Sequence, residues 1–218
     1  MSFYDNLIFD CDGVILNSNL VKSNAFYEVA LPYGKDAADR LLSYNRRHGG
    51  ISRIKKFSYF INDILNIRNQ DTLLRELLDQ YAANIEKGLL ECEVAEGLNE
   101  LKAATKGSRW FIVSGGAESE LQDLFNKRDI DKYFDGGIFG NPRNKDDILN
   151  HMAQSGLLTG KSLFLGDSEY DHKVAKIYNL DFVFIYEWTE FRDWMKYCRE
   201  EGLRSVEAVK EVLPLLSS

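Results

Sequence analysis

Four short apolar runs punctuate the chain, each ending abruptly in or near polar or glycine-rich residues. Asn6-Leu7-Ile8-Phe9 stops at Asp10-Cys11-Asp12-Gly13. Trp110-Phe111-Ile112-Val113 runs into Ser114-Gly115-Gly116, Ser162-Leu163-Phe164-Leu165 into Gly166-Asp167-Ser168, and Phe182-Val183-Phe184-Ile185 follows. Short continuous apolar runs bounded by turn residues have the form of strands buried on both faces of a parallel sheet. Between them, Glu118 to Lys127 and Lys145 to Gln154 repeat apolar residues at three- and four-residue intervals, the period of a helix packed on one side. Strands alternating with helices predict an α/β fold with a doubly wound, Rossmann-like parallel sheet, whose ligands sit in the crevice at the carboxyl ends of the strands. The polar residues that end the runs fall there, so residues as distant as Asp10 and Asp167 are expected to converge.

The stretch from Asn17 to Glu91 interrupts this alternation. It holds no convincing strand, but helical patterns over Asp36 to Tyr44, Arg53 to Leu65 and Thr72 to Lys87. The βα pattern resumes after Glu96-Gly97. The expected organisation is therefore a core domain of residues 1–16 and 92–218, with residues 17–91 inserted as a helical cap. Ser205 to Leu213, ending at Pro214, also has a helical pattern.

Composition narrows the classes of function. Hydrophobic residues make up 44% and charged residues 28% of the 218, a globular balance. The formal net charge of -7 supplies no field for a polyanion, so no nucleic-acid partner is expected, although a small anion can still be held locally. No apolar run approaches the roughly 20 residues needed to span a bilayer, and the N-terminus lacks a signal-peptide pattern. No membrane association is expected. Cys11, Cys92 and Cys198 are widely spaced and odd in number, which suggests neither disulfides nor zinc and fits a reducing cytoplasm. Cys11 reads as a small buried strand-end residue and is given no role.

The candidate chemistry is concentrated at the strand ends. Asp10 and Asp12, one residue apart after the first run, can both face one small site. Gly166-Asp167-Ser168-x-x-Asp171 adds two carboxylates, for which capping of the following helix is the competing role. Pooled with Asp10 they make an oxygen-rich negative cluster that needs a cation, and hard oxygen donors without His or Cys favour Mg²⁺. Ser114-Gly115-Gly116, before a helix beginning near Ala117, offers a hydroxyl and backbone N–H groups to an anion. A phosphoryl group in transfer spreads negative charge, so a cationic side chain is needed as well. Lys145, in a loop that opens a helix, is the candidate, with Arg143 and Lys161 as competitors.

In that order, Asp10-x-Asp12-Gly13-Val14, Ser114, Lys145 and Gly166-Asp167-Ser168-x-x-Asp171 resemble the four motifs of the haloacid dehalogenase superfamily. The resemblance implies a nucleophilic Asp10 that forms an aspartyl-phosphate and an Asp12 that acts as general acid and base. It also implies phosphate binding by Ser114, Gly115 and Lys145, and Mg²⁺ held by Asp10, the Asp12 carbonyl and Asp167, with Asp171 nearby. The helical insertion is similar to the cap of the phosphoglycolate phosphatase and β-phosphoglucomutase group. Within it, His48-Gly49-Gly50-Ile51-Ser52-Arg53 resembles a loop that closes over substrate, which makes His48 and Arg53 candidate substrate contacts. Asn17-Ser18 and Glu96-Gly97 depart from the commoner Asp-Ser and Pro-Gly. The implied function is Mg²⁺-dependent hydrolysis of a small phosphorylated metabolite, with a phosphomutase or a non-catalytic binding member as alternatives. No feature names the substrate or sets the oligomeric state.

Overall fold

Among the described residues, six parallel strands form one sheet: β1 (Asn6–Phe9), β2 (Arg109–Ala117), β3 (Gly137–Asn141), β4 (Ser162–Gly166), β5 (Asp181–Ile185) and β6 (Arg204–Val206), in the order β3-β2-β1-β4-β5-β6. The computed structural model describes residues 4–68 and 71–216. β1 is central, pairing Phe9 with Ile112 on one side and with Leu165 on the other. Its alternation divides the core. Leu7 and Phe9 pack with Trp110, Ile112, Leu163 and Leu165 on one face, while Ile8 packs with Phe111, Val113 and Phe164 on the other. The order reverses direction between β1 and β4, which opens a crevice at their carboxyl ends.

The helices are α1 (Asn19–Ala30), α2 (Lys35–Arg47), α3 (Arg53–Tyr59), α4 (Asp71–Glu91), α5 (Leu98–Ala104), α6 (Glu118–Lys127), α7 (Lys145–Gln154), α8 (Glu169–Ile177), α9 (Trp194–Glu201) and α10 (Val212–Leu215). α3 continues into a π-helical turn, Phe60–Ile64, so the expected helix over Arg53 to Leu65 is one apolar face in two helical geometries. Helices α1 to α4 bury a hydrophobic cluster of their own, with Phe26, Leu41, Phe57, Phe60, Leu77 and Tyr81 inside. The two connections to this helical segment run side by side: the Asn17 N–H donates to the Glu93 carbonyl at 3.0 Å and the Ala95 N–H to the Ile15 carbonyl at 2.9 Å. No helix among the described residues is long and apolar enough to cross a membrane.

Three elements differ from the sequence reading. β2 runs on through Ser114-Gly115-Gly116 to Ala117, with an irregularity in its pairing to β3 between Val113 and Ala117. β3 was not expected at all. Ser205 to Leu213 is not one helix but the end of β6, a 3-10 turn and the start of α10; Arg204 to Val206 find ladder partners on β5, and such pairing overrides a weak helical period.

Candidate active site

Asp10 follows β1 directly, at the mouth of the crevice, and is almost fully buried. Its Oδ1 accepts the Cys11 N–H at 2.7 Å and lies 2.9 Å from Lys145 Nζ. Among the described residues nothing donates to Oδ2. Burial pushes the Asp10 carboxyl up to about 7, repulsion from Asp171 and Asp12 adds to this, and Lys145 opposes it. The Cys11 thiol is raised by burial and by Asp12, which leaves it an inert packing group.

Lys145 opens α7 and has no solvent exposure. Besides Asp10, it donates to Asp171 Oδ1 at 2.5 Å. Burial alone would lower its pKa, but the two carboxylates outweigh that and hold it firmly protonated. The competitors lie elsewhere: Arg143 is 3.3 Å from Glu118 and Lys161 is 3.0 Å from Asp181.

Asp167 and Asp171 follow β4 as expected, with different surroundings. Asp167 Oδ2 accepts from Asn19 Nδ2 at 2.8 Å, and burial with the neighbouring Asp10 and Asp171 charges raises its carboxyl well above the usual range. Asp171 closes a capping box: its Oδ2 accepts the Ser168 hydroxyl at 2.5 Å while its own N–H donates to Ser168 Oγ. With Oδ1 on Lys145, both Asp171 oxygens are occupied. Carboxylate oxygens of Asp10, Asp167 and Asp171 lie within 4.8 Å of one another, a buried, hard-oxygen set that fits a divalent cation. Asp10 and Asp167 are the members with capacity to spare. Gly13 is required here, because its φ is +78° and a Cβ would stand 2.2 Å from Asp167 Oδ2.

Asp12 is held by the helical segment. Its carboxylate accepts from Ser18 Oγ and from Lys22 Nζ, each at 2.6 Å. Burial pushes this carboxyl up, but Lys22 and Ser18 overcome it and keep Asp12 below its ordinary value. Sequence reasoning missed Lys22 and Asn19. Their signal was the three-residue spacing of Asn19 and Lys22, which places both polar groups on the side of α1 that meets the crevice.

Ser114 is fully buried, and its Oγ accepts the Gly116 N–H at 3.0 Å. Gly115 faces the His48–Arg53 loop at close range: a Cβ on Gly115 would lie 2.5 Å from the Gly50 carbonyl, and one on Gly50 would lie 3.5 Å from Lys145 Nζ. The loop therefore does reach the crevice. His48 lines the cavity, with its ring 4.2 Å from that of Tyr44. Arg53 also lines the cavity, where it forms a two-pronged pair with Glu120 of α6, at 2.9 and 2.5 Å, and lies over the Tyr81 ring. The cavity enclosed between sheet and helices measures about 450 Å³.

The family model described as haloacid dehalogenase-like hydrolase matches residues 7–185 of the chain. No curated protein gives a significant sequence match. Among solved structures, the fold is similar to that of a hydrolase from Pseudomonas syringae, at 19% identity and a TM-score of 0.74 over 98% of both chains. A predicted phosphatase from Clostridium acetobutylicum aligns with a TM-score of 0.73, 19% identity and 99% of both chains. β-Phosphoglucomutase from Clostridium difficile aligns with a TM-score of 0.74 and 15% identity, over 96% of this chain and 93% of that one.

Proposed function

The chain belongs to the haloacid dehalogenase-like hydrolases, and from that premise we propose that it is a phosphatase that hydrolyses a small phosphomonoester through an aspartyl-phosphate on Asp10. The observation that carries this reading is the Asp10 carboxylate itself, pinned at Oδ1 by Lys145 and the Cys11 N–H, with Oδ2 unengaged.

In the first step Asp10 Oδ2 forms a bond to phosphorus as the bond from phosphorus to the ester oxygen breaks, and Asp12 gives its proton to the departing alkoxide. In the second, water attacks phosphorus, Asp12 takes the water proton, and the bond to Asp10 breaks to release inorganic phosphate. Lys145 orients Asp10 and offsets the negative charge that gathers around it. Ser114 and the N–H groups beside it provide donors for phosphoryl oxygens. Lys22 holds Asp12 in the ionised form that the second step uses, so bound substrate must draw Lys22 away for the first. Mg²⁺ is the cation that Asp10 and Asp167 would hold, with the Asp12 carbonyl as the third ligand implied by the family; when bound it supplies charge neutralisation for the nucleophile and the phosphoryl oxygens. Asp171 serves through Lys145.

The reading is tested by screening phosphomonoesters for inorganic phosphate released with Mg²⁺. No release from any ester would refute it, and transfer to a sugar without release would make the protein a mutase. Asp12→Asn should lower kcat by about 10²- to 10⁴-fold while a phosphate analogue still binds. Loss of that binding would give Asp12 a structural role.

Metal binding should be visible in stability. Without metal, folded Asp10 and Asp167 retain protons at a pH where unfolded carboxyls have lost them. The stability that they contribute is complete below the unfolded value and lost as pH rises through the folded one, about 7 for Asp10. Mg²⁺ displaces those protons, so saturating Mg²⁺ should raise Tm more at about pH 8 than at about pH 5. Equal or opposite shifts in a thermal melt would remove these two residues as ligands.

A further inference from the structure

Among the described residues, six lysine and arginine side chains line the cavity, and four are matched to a carboxylate: Lys22 to Asp12, Arg46 to Glu190, Arg53 to Glu120 and Lys173 to Glu169. Among the described residues, Arg47 and Lys56 have no carboxylate within ion-pair distance. Arg47 is exposed, and a solvated arginine needs none. Lys56 is different, because only 8% of it is exposed. An ammonium taken out of water without a counter-ion is costly unless something at work in the protein supplies one.

The surroundings of Lys56 are built. It enters the cavity from α3, its Nζ donates to Asn45 Oδ1 at 2.7 Å, and it lies 5.3 Å from the Phe26 ring centre. Asn45 is fixed in the accepting orientation, since its Nδ2 donates to Ser23 Oγ at 2.8 Å and Ser23 in turn donates to Glu190. One of the three ammonium N–H groups is thus used, which leaves two. Asp12, Glu190 and Asp10 attract this charge from beyond contact, but burial, followed by repulsion from Lys22, prevails and brings Lys56 down to about 8. Asp10 and Asp167 enter the same cavity from the sheet. A space of about 450 Å³ between the two is more than a phosphoryl group alone requires.

We infer that Lys56, held by Asn45, receives a second anionic group on the leaving-group side of the substrate, so that the substrate is a phosphomonoester whose alcohol also carries a carboxylate or another phosphate. This rests on the phosphatase reading above and names its substrate class. The anion provides the counter-charge that Lys56 lacks, while the aspartates take the phosphoryl end.

The test uses three esters with the same four-carbon chain: butyl phosphate, 4-phosphooxybutanoate and butane-1,4-diol bisphosphate. Wild-type kcat/KM should favour one or both charged-end esters over butyl phosphate by about ten-fold or more, and the arm that gains identifies the anion. Lys56→Met, and independently Lys56→Gln, should collapse that ratio about ten-fold, chiefly through KM. No preference in the wild type, or a ratio untouched by either variant, overturns the inference. Calorimetric binding of each charged-end ester to Asp10→Asn, with and without Lys56→Met, reads the subsite without turnover. An approximately ten-fold weakening supports the subsite even if the wild type releases no phosphate, in which case the phosphatase reading alone falls. Equal affinity overturns the subsite and leaves hydrolysis standing.

Discussion

Asp10→Asn is expected to lower phosphate release by about 10⁴-fold or more, the scale seen when a covalent nucleophile is removed. The amide keeps the shape of the carboxylate and can still accept the Cys11 N–H, but it cannot attack phosphorus. The loss should come without loss of the fold. In the metal-free protein the Asp10 carboxyl is pushed upward by burial and then by its acidic neighbours, so a neutral group in its place relieves a cost. Tm should hold or rise while turnover vanishes, and far-ultraviolet circular dichroism should be unchanged. A variant that retained even a few per cent of wild-type kcat would end the nucleophile assignment.

Lys145→Met should be damaging in two ways. Removing the cation takes away the group that offsets charge at the phosphoryl, a loss of about 10³- to 10⁵-fold by analogy with other cations placed on transferring phosphoryl groups. It also leaves Asp10 and Asp171 buried together without their shared partner, and breaking a buried ion pair from one side costs about 3–5 kcal/mol. In a protein of this size that lowers Tm by roughly 10 °C, and Mg²⁺ should restore part of it by replacing the missing positive charge. Arg143→Ala and Lys161→Ala break pairs with Glu118 and Asp181 that are partly open to water, each worth about 1 kcal/mol or less. Should Arg143→Ala reduce kcat/KM more than Lys145→Met, the cation at the phosphoryl would have to be reassigned.

The ease with which elements were read from sequence follows their burial. The four strands foreseen are the inner four, where β1, β2, β4 and β5 carry uninterrupted apolar runs because neighbours cover them. The two that escaped notice are the edge strands: β3 is Gly-Ile-Phe-Gly-Asn, mostly half-buried, and β6 is Arg-Ser-Val, mostly exposed. Their pairing comes from a neighbour and not from their own composition.

The same holds at the site. Asp10, Asp167, Asp171 and Lys145 stand at strand and helix ends that local pattern reveals, and the fold brings them together. Lys22, Asn19 and Lys56 lie within helices, where a lysine or asparagine ordinarily faces water. Asn19 is fixed by Asp167, 148 residues away, Lys22 by Asp12, and Lys56 by Asn45 and Phe26 of two other helices, contacts that the local pattern does not show. Arg53 is the opposite case: the first residue of α3, beside the cap loop, whose charge is taken by Glu120, 67 residues away in sequence.

The central place of β1 also bears on how the protein is made. Its partners are β2 and β4, and Phe9 meets Leu165 only after 156 further residues have been added. At about 5–20 residues per second, a ribosome needs on the order of ten seconds or more to deliver them. Helices α1 to α4 emerge in that interval and can already bury their own cluster, whereas Leu7, Ile8 and Phe9 gain β2 on one edge first and β4 on the other only later. Between the arrival of β2 and that of β4, the strand that leads into Asp10 keeps one edge unpaired. Asp167 and Asp171 follow β4, so the acidic cluster with Asp10 is complete only when β4 docks.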